Sequence, residues 1–199
     1  MPSDSELLAR WREGDAAAGN ELAGRYFDSL YGFFRNKVGD DIDDLLQQTL
    51  LGCVEASRRF EGRSSFRTYL FGIARNVLLG HIKARRRLDA IDPAEQSAED
   101  LGTTPSRNVA RSQESLLLLR ALRRIPIDYQ IALELYYWEG MNTVEIAEVQ
   151  DIPTSTARTR LRRAREAVER ELAQLVEDPR ALRTTLDDLE RWARSLRGG

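Results

Sequence analysis

Apolar positions recur at helical spacing along most of this chain, and no segment alternates in the two-residue period of a strand. Gly14-Asp15 makes a first break with a candidate N-cap. The helix after it runs to about Val38, with Leu22, Tyr26, Leu30, Phe33 and Phe34 on its apolar side. Gly39-Asp40-Asp41 makes a second break, followed by a helix from Ile42 to about Phe60 with Leu45, Leu46, Leu50, Val54 and Ala56 turned inward. A loop at 61–64, with Ser64 or Ser65 as cap, leads into a helix from Phe66 to about Arg87, whose core side is Leu70, Ile73, Ala74 and Val77. The period is then lost. Residues 89–112 are polar and acidic, punctuated by Pro93, Gly102 and Pro105, and as a coil would span roughly 25–30 Å. Helical spacing resumes over 113–176 and is stopped by Asp178-Pro179. Leu182, Leu186, Leu189 and Leu196 then share one face of a short amphipathic stretch. The pattern predicts an all-α fold of two small helical domains, 1–88 and 113–176, joined by a flexible acidic linker at 89–112. A C-terminal amphipathic helix lies in an extension at 177–199.

Within the second domain, residues 141–168 predict a helix-turn-helix. Asn142 stands as N-cap with Glu145 three residues on, the spacing of a capping box. Val144, Ile146, Ala147 and Val149 give the first helix a buried side, and Gln150, Asp151 and Ile152 form the turn. Pro153 sits at the first helical position, where a missing N–H costs nothing. Thr154, Ser155 and Thr156 follow at a helix start, whose free N–H groups attract phosphate. Ala157, Leu161, Ala164 and Val168 face the first helix, while Arg158, Arg160, Arg162, Arg163 and Arg165 load the second with positive charge. A packing hairpin without a DNA role is the plainer reading, and the arginine density argues against it.

Composition narrows the choice. One cysteine and one histidine among 199 residues exclude internal disulfides, a cysteine-rich zinc site and a histidine cluster. Cys53 reads as a small core residue, and His81 has no serine or cysteine placed to be activated, so catalysis, metal and cofactor are not expected. No signal peptide and no apolar run of about 20 residues is present, which predicts a cytoplasmic protein without membrane insertion. The net charge of −2 argues against nucleic acid only as an average. Residues 58–87 carry nine lysines and arginines against Glu61 alone, while the start of the chain and the linker are acidic. Such segregation suggests partners of opposite surface chemistry.

Two further constellations stand out. Asp40, Asp41, Asp43 and Asp44, followed by Gln47 and Gln48, open a helix. Carboxylates are favoured there by the helix dipole, so capping suffices to explain them, and a docking face for a basic protein is the functional alternative. The second is residues 63–87, where arginines alternate with Phe66, Tyr69 and Phe71. Aromatic rings beside arginines suit unpaired bases and their phosphates, and a solvated helix with core aromatics is the alternative.

In this order, the segments DDIDDLLQQTLLGCVEASRRF, SSFRTYLFGIARNVLLGHIKARRR and LRRIPIDYQIALELYYWEGMNTVEIAEVQDIPTSTARTRLRRARE resemble those of the sigma-70 family, specifically its small two-domain extracytoplasmic function (ECF) group, over about residues 4–175. The resemblance implies a factor that binds core RNA polymerase and directs promoter recognition, strand opening and transcription initiation. Asp43, Asp44, Gln47 and Gln48 would meet a basic coiled coil of the polymerase clamp. The loop at 61–65, including Arg63, Ser64 and Ser65, would cup a flipped base of the non-template strand. Arg67, Tyr69, Arg75, Asn76 and Lys83 would line the single-strand path. Arg158, Thr159, Arg162 and Arg163 would reach the major groove of the minus-thirty-five element, and Thr154, Ser155 and Thr156 would hold its phosphates.

Three positions depart from the family pattern: Gln48 replaces an acid, Asp151 a turn glycine and Gly80 an aspartate. Asp151 suits a left-handed turn better than most residues do. Control would come from an anti-sigma factor, from the 177–199 extension closing the two domains on each other, or from phosphorylation of Thr49, which would restore charge beside Gln48. The runner-up is a stand-alone helix-turn-helix regulator, which needs neither the acidic helix nor the aromatic-basic one.

Overall fold

The computed structural model describes residues 1–39, 41–57, 64–85, 97–98 and 113–175. These form eight helices: α1 (Asp4–Arg12), α2 (Ala16–Arg35), α3 (Ile42–Ser57), α4 (Phe66–Arg85), α5 (Gln113–Arg124), α6 (Ile127–Tyr137), α7 (Thr143–Gln150) and α8 (Thr154–Leu175). Among the described residues the sole β feature is an isolated bridge between Ser97 and Pro126. The extension at 177–199, the 89–112 linker apart from Ser97 and Ala98, and Arg63 lie outside the described residues.

Local chemistry sets the helix starts. Ser3 and Glu6 form a capping box on α1, and the Asp15 carboxylate accepts from the N–H groups of Ala17 and Ala18 at 3.0 and 3.1 Å. Ser65 caps α4 by accepting from the Thr68 N–H at 3.1 Å. The helix from Ala16 stops at Arg35 rather than near Val38, because Asn36, Lys37 and Val38 fold inward and are buried. Leu22, Leu30, Phe33 and Phe34 pack with Leu45, Leu70, Phe71, Ala74 and Leu78, and Phe33 meets Phe34 and Phe71 edge-on. Val54, expected on the inner side of α3, is instead exposed, as is Leu51.

Gly19 is where α1 and α2 touch. A Cβ there would sit 2.4 Å from Trp11 Nε1, so the indole lies directly on the glycine backbone. Gly19→Ala is expected to push the ring away and destabilise the protein by about 1–3 kcal/mol, read as a lower urea midpoint together with changed tryptophan emission.

Cys53 is buried, and burial pushes its thiol pKa up to about 11. Thiolate is the reactive form, so Ellman's reagent at pH 8 is expected to leave the folded chain unlabelled and to titrate one thiol once urea is added.

In the second half, α8 packs across α5, α6 and α7. The expected capping box on α7 is present, with the Asn142 side chain accepting from Val144 and Glu145 N–H groups and Glu145 accepting from the Asn142 N–H. Asp151 takes the left-handed conformation (φ 51°, ψ 52°), and the Ile152 N–H returns to the Ala147 carbonyl at 3.0 Å, closing the turn. Three details differ from expectation. Gln150 is the last residue of α7 rather than part of the turn. Pro153 precedes the first helical residue, its carbonyl accepting from Ala157. Val144 is exposed, since a helix this short buries only Ile146, Ala147, Val149 and Gln150. α6 is buried on nearly every side because α5, α7 and α8 pack on it and Lys37 and Arg75 of the first half reach its Glu134 and Asp128.

Candidate nucleic-acid interface

Three surfaces carry the residues singled out above. On α3, Asp43, Asp44, Gln47 and Gln48 are all exposed at or near the helix start. Asp43 and Gln47 border a groove of about 350 Å³ that is otherwise apolar, lined by Phe27, Leu46, Leu50, Leu51 and Val54. The apolar part escaped the sequence reading, which assigned Val54 to the core; helical spacing marks an apolar stripe but not how far the protein's own core covers it. Thr49 is fully buried and its hydroxyl donates to the Leu45 carbonyl at 2.7 Å. A kinase cannot reach it, and its role is structural.

On α4, Asn76 and Lys83 are exposed, Ser64 and Tyr69 are half-buried, and Ser65 is committed to the cap. Burial raises the Tyr69 phenol above its ordinary pKa, so the ring is neutral throughout the physiological range. Arg67 and Arg75 point elsewhere than to open solvent. Arg67 donates to the Glu139 carbonyl at 2.7 Å and approaches Glu145 at 3.4 Å. Arg75, 12% exposed, makes a two-pronged pair with Asp128, both bonds at 2.9 Å.

On α8, the arginines divide by face. Arg158, Arg162 and Arg163 are exposed together with Ser155, Thr156 and Thr159, and Thr154 is half-buried beside them at the helix start. Arg162 makes a surface pair with Glu166 at 2.5 Å. Arg160 turns inward and donates to Asp128 at 2.7 Å and to Gln150 at 2.9 Å, while the Gln150 amide donates to the Asp128 carbonyl at 2.8 Å. Arg165 lies over the rings of Tyr136 and Tyr137, 5.2 and 5.5 Å from their centroids. The outward residues form one polar, cationic strip from the start of α8 along its length, in the arrangement that lets a second helix enter a major groove.

A fourth site was invisible to the sequence. Lys37, 0% exposed, pairs with Glu134, 3% exposed, and also donates to the Phe33 carbonyl at 2.5 Å; Glu134 in turn accepts from Gln130 at 2.9 Å. Burial pushes Glu134 up and Lys37 down, and their mutual attraction opposes both shifts. Arg123 donates to the Asn36 carbonyl at 2.8 Å close by.

The described residues thus carry an acidic, partly apolar groove on one helical unit and a cationic outer face on a helix of the other. Family models for sigma-70 region 2 and sigma-70 region 4 match residues 22–88 and 115–168. The ECF RNA polymerase sigma-E factor of Haemophilus influenzae is 31% identical over 87% of this chain and 97% of its own. The RNA polymerase sigma-H factor of Pseudomonas aeruginosa is 30% identical over 88% and 96%. The chain therefore belongs to the ECF group of the sigma-70 family. Two solved structures share the fold at 22% identity: CnrH in complex with the cytosolic domain of CnrY (TM-score 0.62, covering 84% of this chain and 96% of that one), and the sigma factor RpoE of Bartonella quintana in complex with the anti-sigma factor NepR (TM-score 0.57, covering 75% and 92%). The family is one of transcription initiation factors. No described helix is long and apolar enough to cross a membrane.

Proposed function

We propose that this sigma factor docks on core RNA polymerase through the exposed start of α3, holds the melted minus-ten strand along α4, and reads the minus-thirty-five duplex with the outer face of α8. The observation that carries this reading is the division of surface chemistry. Asp43 borders an apolar groove beside the exposed Asp44 on one face, and Arg158, Arg162 and Arg163 share another face on a different helix. A stand-alone regulator has use for the second face only. The domain division at 1–88 and 113–176 follows the same split of tasks, and the protein works in the cytoplasm, where the polymerase is.

Asp43, Asp44, Gln47 and Gln48 would meet a basic surface of the polymerase, with Phe27, Leu51 and Val54 supplying the apolar contact that charge alone lacks. Ser64, Ser65, Tyr69, Asn76 and Lys83, with Arg63, would contact the single strand directly. Arg67 and Arg75 would do so once released from Glu139, Glu145 and Asp128. Thr154, Ser155 and Thr156 would hold backbone phosphate at the start of α8, and Thr159 would lie beside the base-reading arginines. The Bartonella quintana neighbour is in complex with an anti-sigma factor, which supports anti-sigma control here too.

Run-off transcription tests the reading. Core polymerase alone should be silent on the gene's own upstream region, and addition of this chain should yield a discrete transcript. A chain that binds that duplex but neither binds core nor supports a transcript is the stand-alone regulator instead.

A further inference from the structure

A cavity of about 670 Å³ lies between α2, α4 and the end of α6. Its volume falls in the usual range for a small-molecule site, about 300–1,000 Å³. Tyr31 and Phe33 of α2, Phe71 of α4 and Trp138 at the end of α6 bring aromatic side chains to its lining. Helical spacing sets the wall on α2. Asp28, Tyr31, Gly32 and Arg35 fall at i, i+3, i+4 and i+7, one face of the helix. Gly32 contributes no side chain, and a Cβ there would meet nothing within 4 Å, so the space beside it is open.

The charged groups of the lining differ in what they meet. Glu134 is paired with Lys37 and accepts from Gln130, and Arg67 donates to the Glu139 carbonyl. Arg35, the last residue of α2, is different. Its Nε is buried without a hydrogen-bond acceptor, and its guanidinium forms no ion pair with a described residue. A buried N–H left without an acceptor is unfavourable, and more so on a charged group. Water answers this poorly in a lining rich in aromatic carbon, since a buried water needs several polar partners of its own. An acid group on a flat apolar body answers it well. The acid accepts from Arg35, and the rings of the body lie against the aromatic side chains. Asp28 and Glu134 share the lining, so a second negative charge on the ligand is disfavoured.

We propose that this cavity binds a small aromatic carboxylic acid. Arg35 donates to its carboxylate, Tyr31, Phe33, Phe71 and Trp138 pack on its rings, and Gly32 provides the clearance beside α2.

Calorimetric titration of the full-length chain with naphthoate tests the site. Naphthoate should saturate one site per chain with a Kd of about 1 mM or lower, the affinity that ordinary ligand efficiency gives a molecule of this size. Naphthamide has nearly the same shape and no charge, and should bind about tenfold more weakly or worse; this comparison needs no altered protein. Naphthyl phosphate, which carries a second negative charge, should bind no more tightly than naphthoate. Arg35→Gln leaves the cavity without its unpaired cation and should weaken naphthoate by about tenfold or more. Gly32→Leu fills the open space, replaces glycine by a better helix former and should abolish binding in a chain that melts no lower than the parent. Failure of naphthoate to bind in the millimolar range overturns the proposal. So does binding that makes no distinction between acid and amide, or that survives Arg35→Gln or Gly32→Leu in a folded chain. Tighter binding of the phosphate overturns the carboxylate as the ligand class.

Discussion

Exchange of Asp43 and Asp44 for lysine is expected to abolish run-off transcription and to weaken core-polymerase binding by about 100-fold or more. The two carboxylates are exposed in the first turn of α3, and Asp43 also borders the groove formed by Phe27, Leu46, Leu50, Leu51 and Val54. Their reversal sets like charges together at a basic partner surface, which costs several kcal/mol; about 3 kcal/mol is a factor of about 100 in Kd. The loss to folding is smaller. Each acid at a helix start contributes about 0.3–1 kcal/mol through the dipole, and neither side chain is buried. The variant should therefore keep its helical circular dichroism and its affinity for duplex while losing the polymerase. Leu51→Asp gives an independent reading, since it attacks the apolar half of the same groove from a side chain that is 53% exposed. Core binding that survives both changes would move the docking surface elsewhere on the protein.

Sequence and structure part company at particular residues, and the reasons are physical. The capping box at Asn142 and Glu145, the left-handed Asp151 and the core positions Leu22, Leu30, Phe33, Leu70 and Ala74 were legible, because each depends on neighbours a few residues away. Val54 and Val144 were misplaced for the complementary reason: spacing marks a helix face as apolar, but burial depends on what the rest of the chain brings against it. Lys37, Asp128 and Glu134 left no local signal at all. A charged residue in an apolar run reads as a surface position until its partner is known, and the partners lie 53 and 97 residues away. The arginines of α8 formed a single basic run in the sequence, although Arg160 and Arg165 were left off the groove-reading set; only the packing of α8 on α6 shows what holds each of them.

That division of α8 leads to the second large effect. Arg162→Ala combined with Arg163→Ala is expected to cost the assembled polymerase complex about 100-fold or more in affinity for its upstream promoter element, with no change in the melting temperature of the free chain. Each arginine that pairs with a guanine edge contributes about 1–3 kcal/mol of discrimination, and two removed together reach that range. Neither side chain is buried. The Arg162–Glu166 pair, 63% and 52% exposed and one turn apart, adds a few tenths of a kcal/mol at most and is readily exchanged for DNA. Arg160→Ala should behave in the opposite way. It strips Asp128 and Gln150 of a shared donor at a half-buried position and should lower stability by about 1–3 kcal/mol, while the base-reading face is left chemically intact. Competition between the upstream element and a scrambled duplex of equal length separates the two cases. Discrimination should collapse in the double variant and persist in Arg160→Ala at temperatures where that variant is folded. If the double variant still prefers the true element, the specific contacts are made by other residues, with Arg158 and the hydroxyls of Ser155, Thr156 and Thr159 next along the same exposed strip.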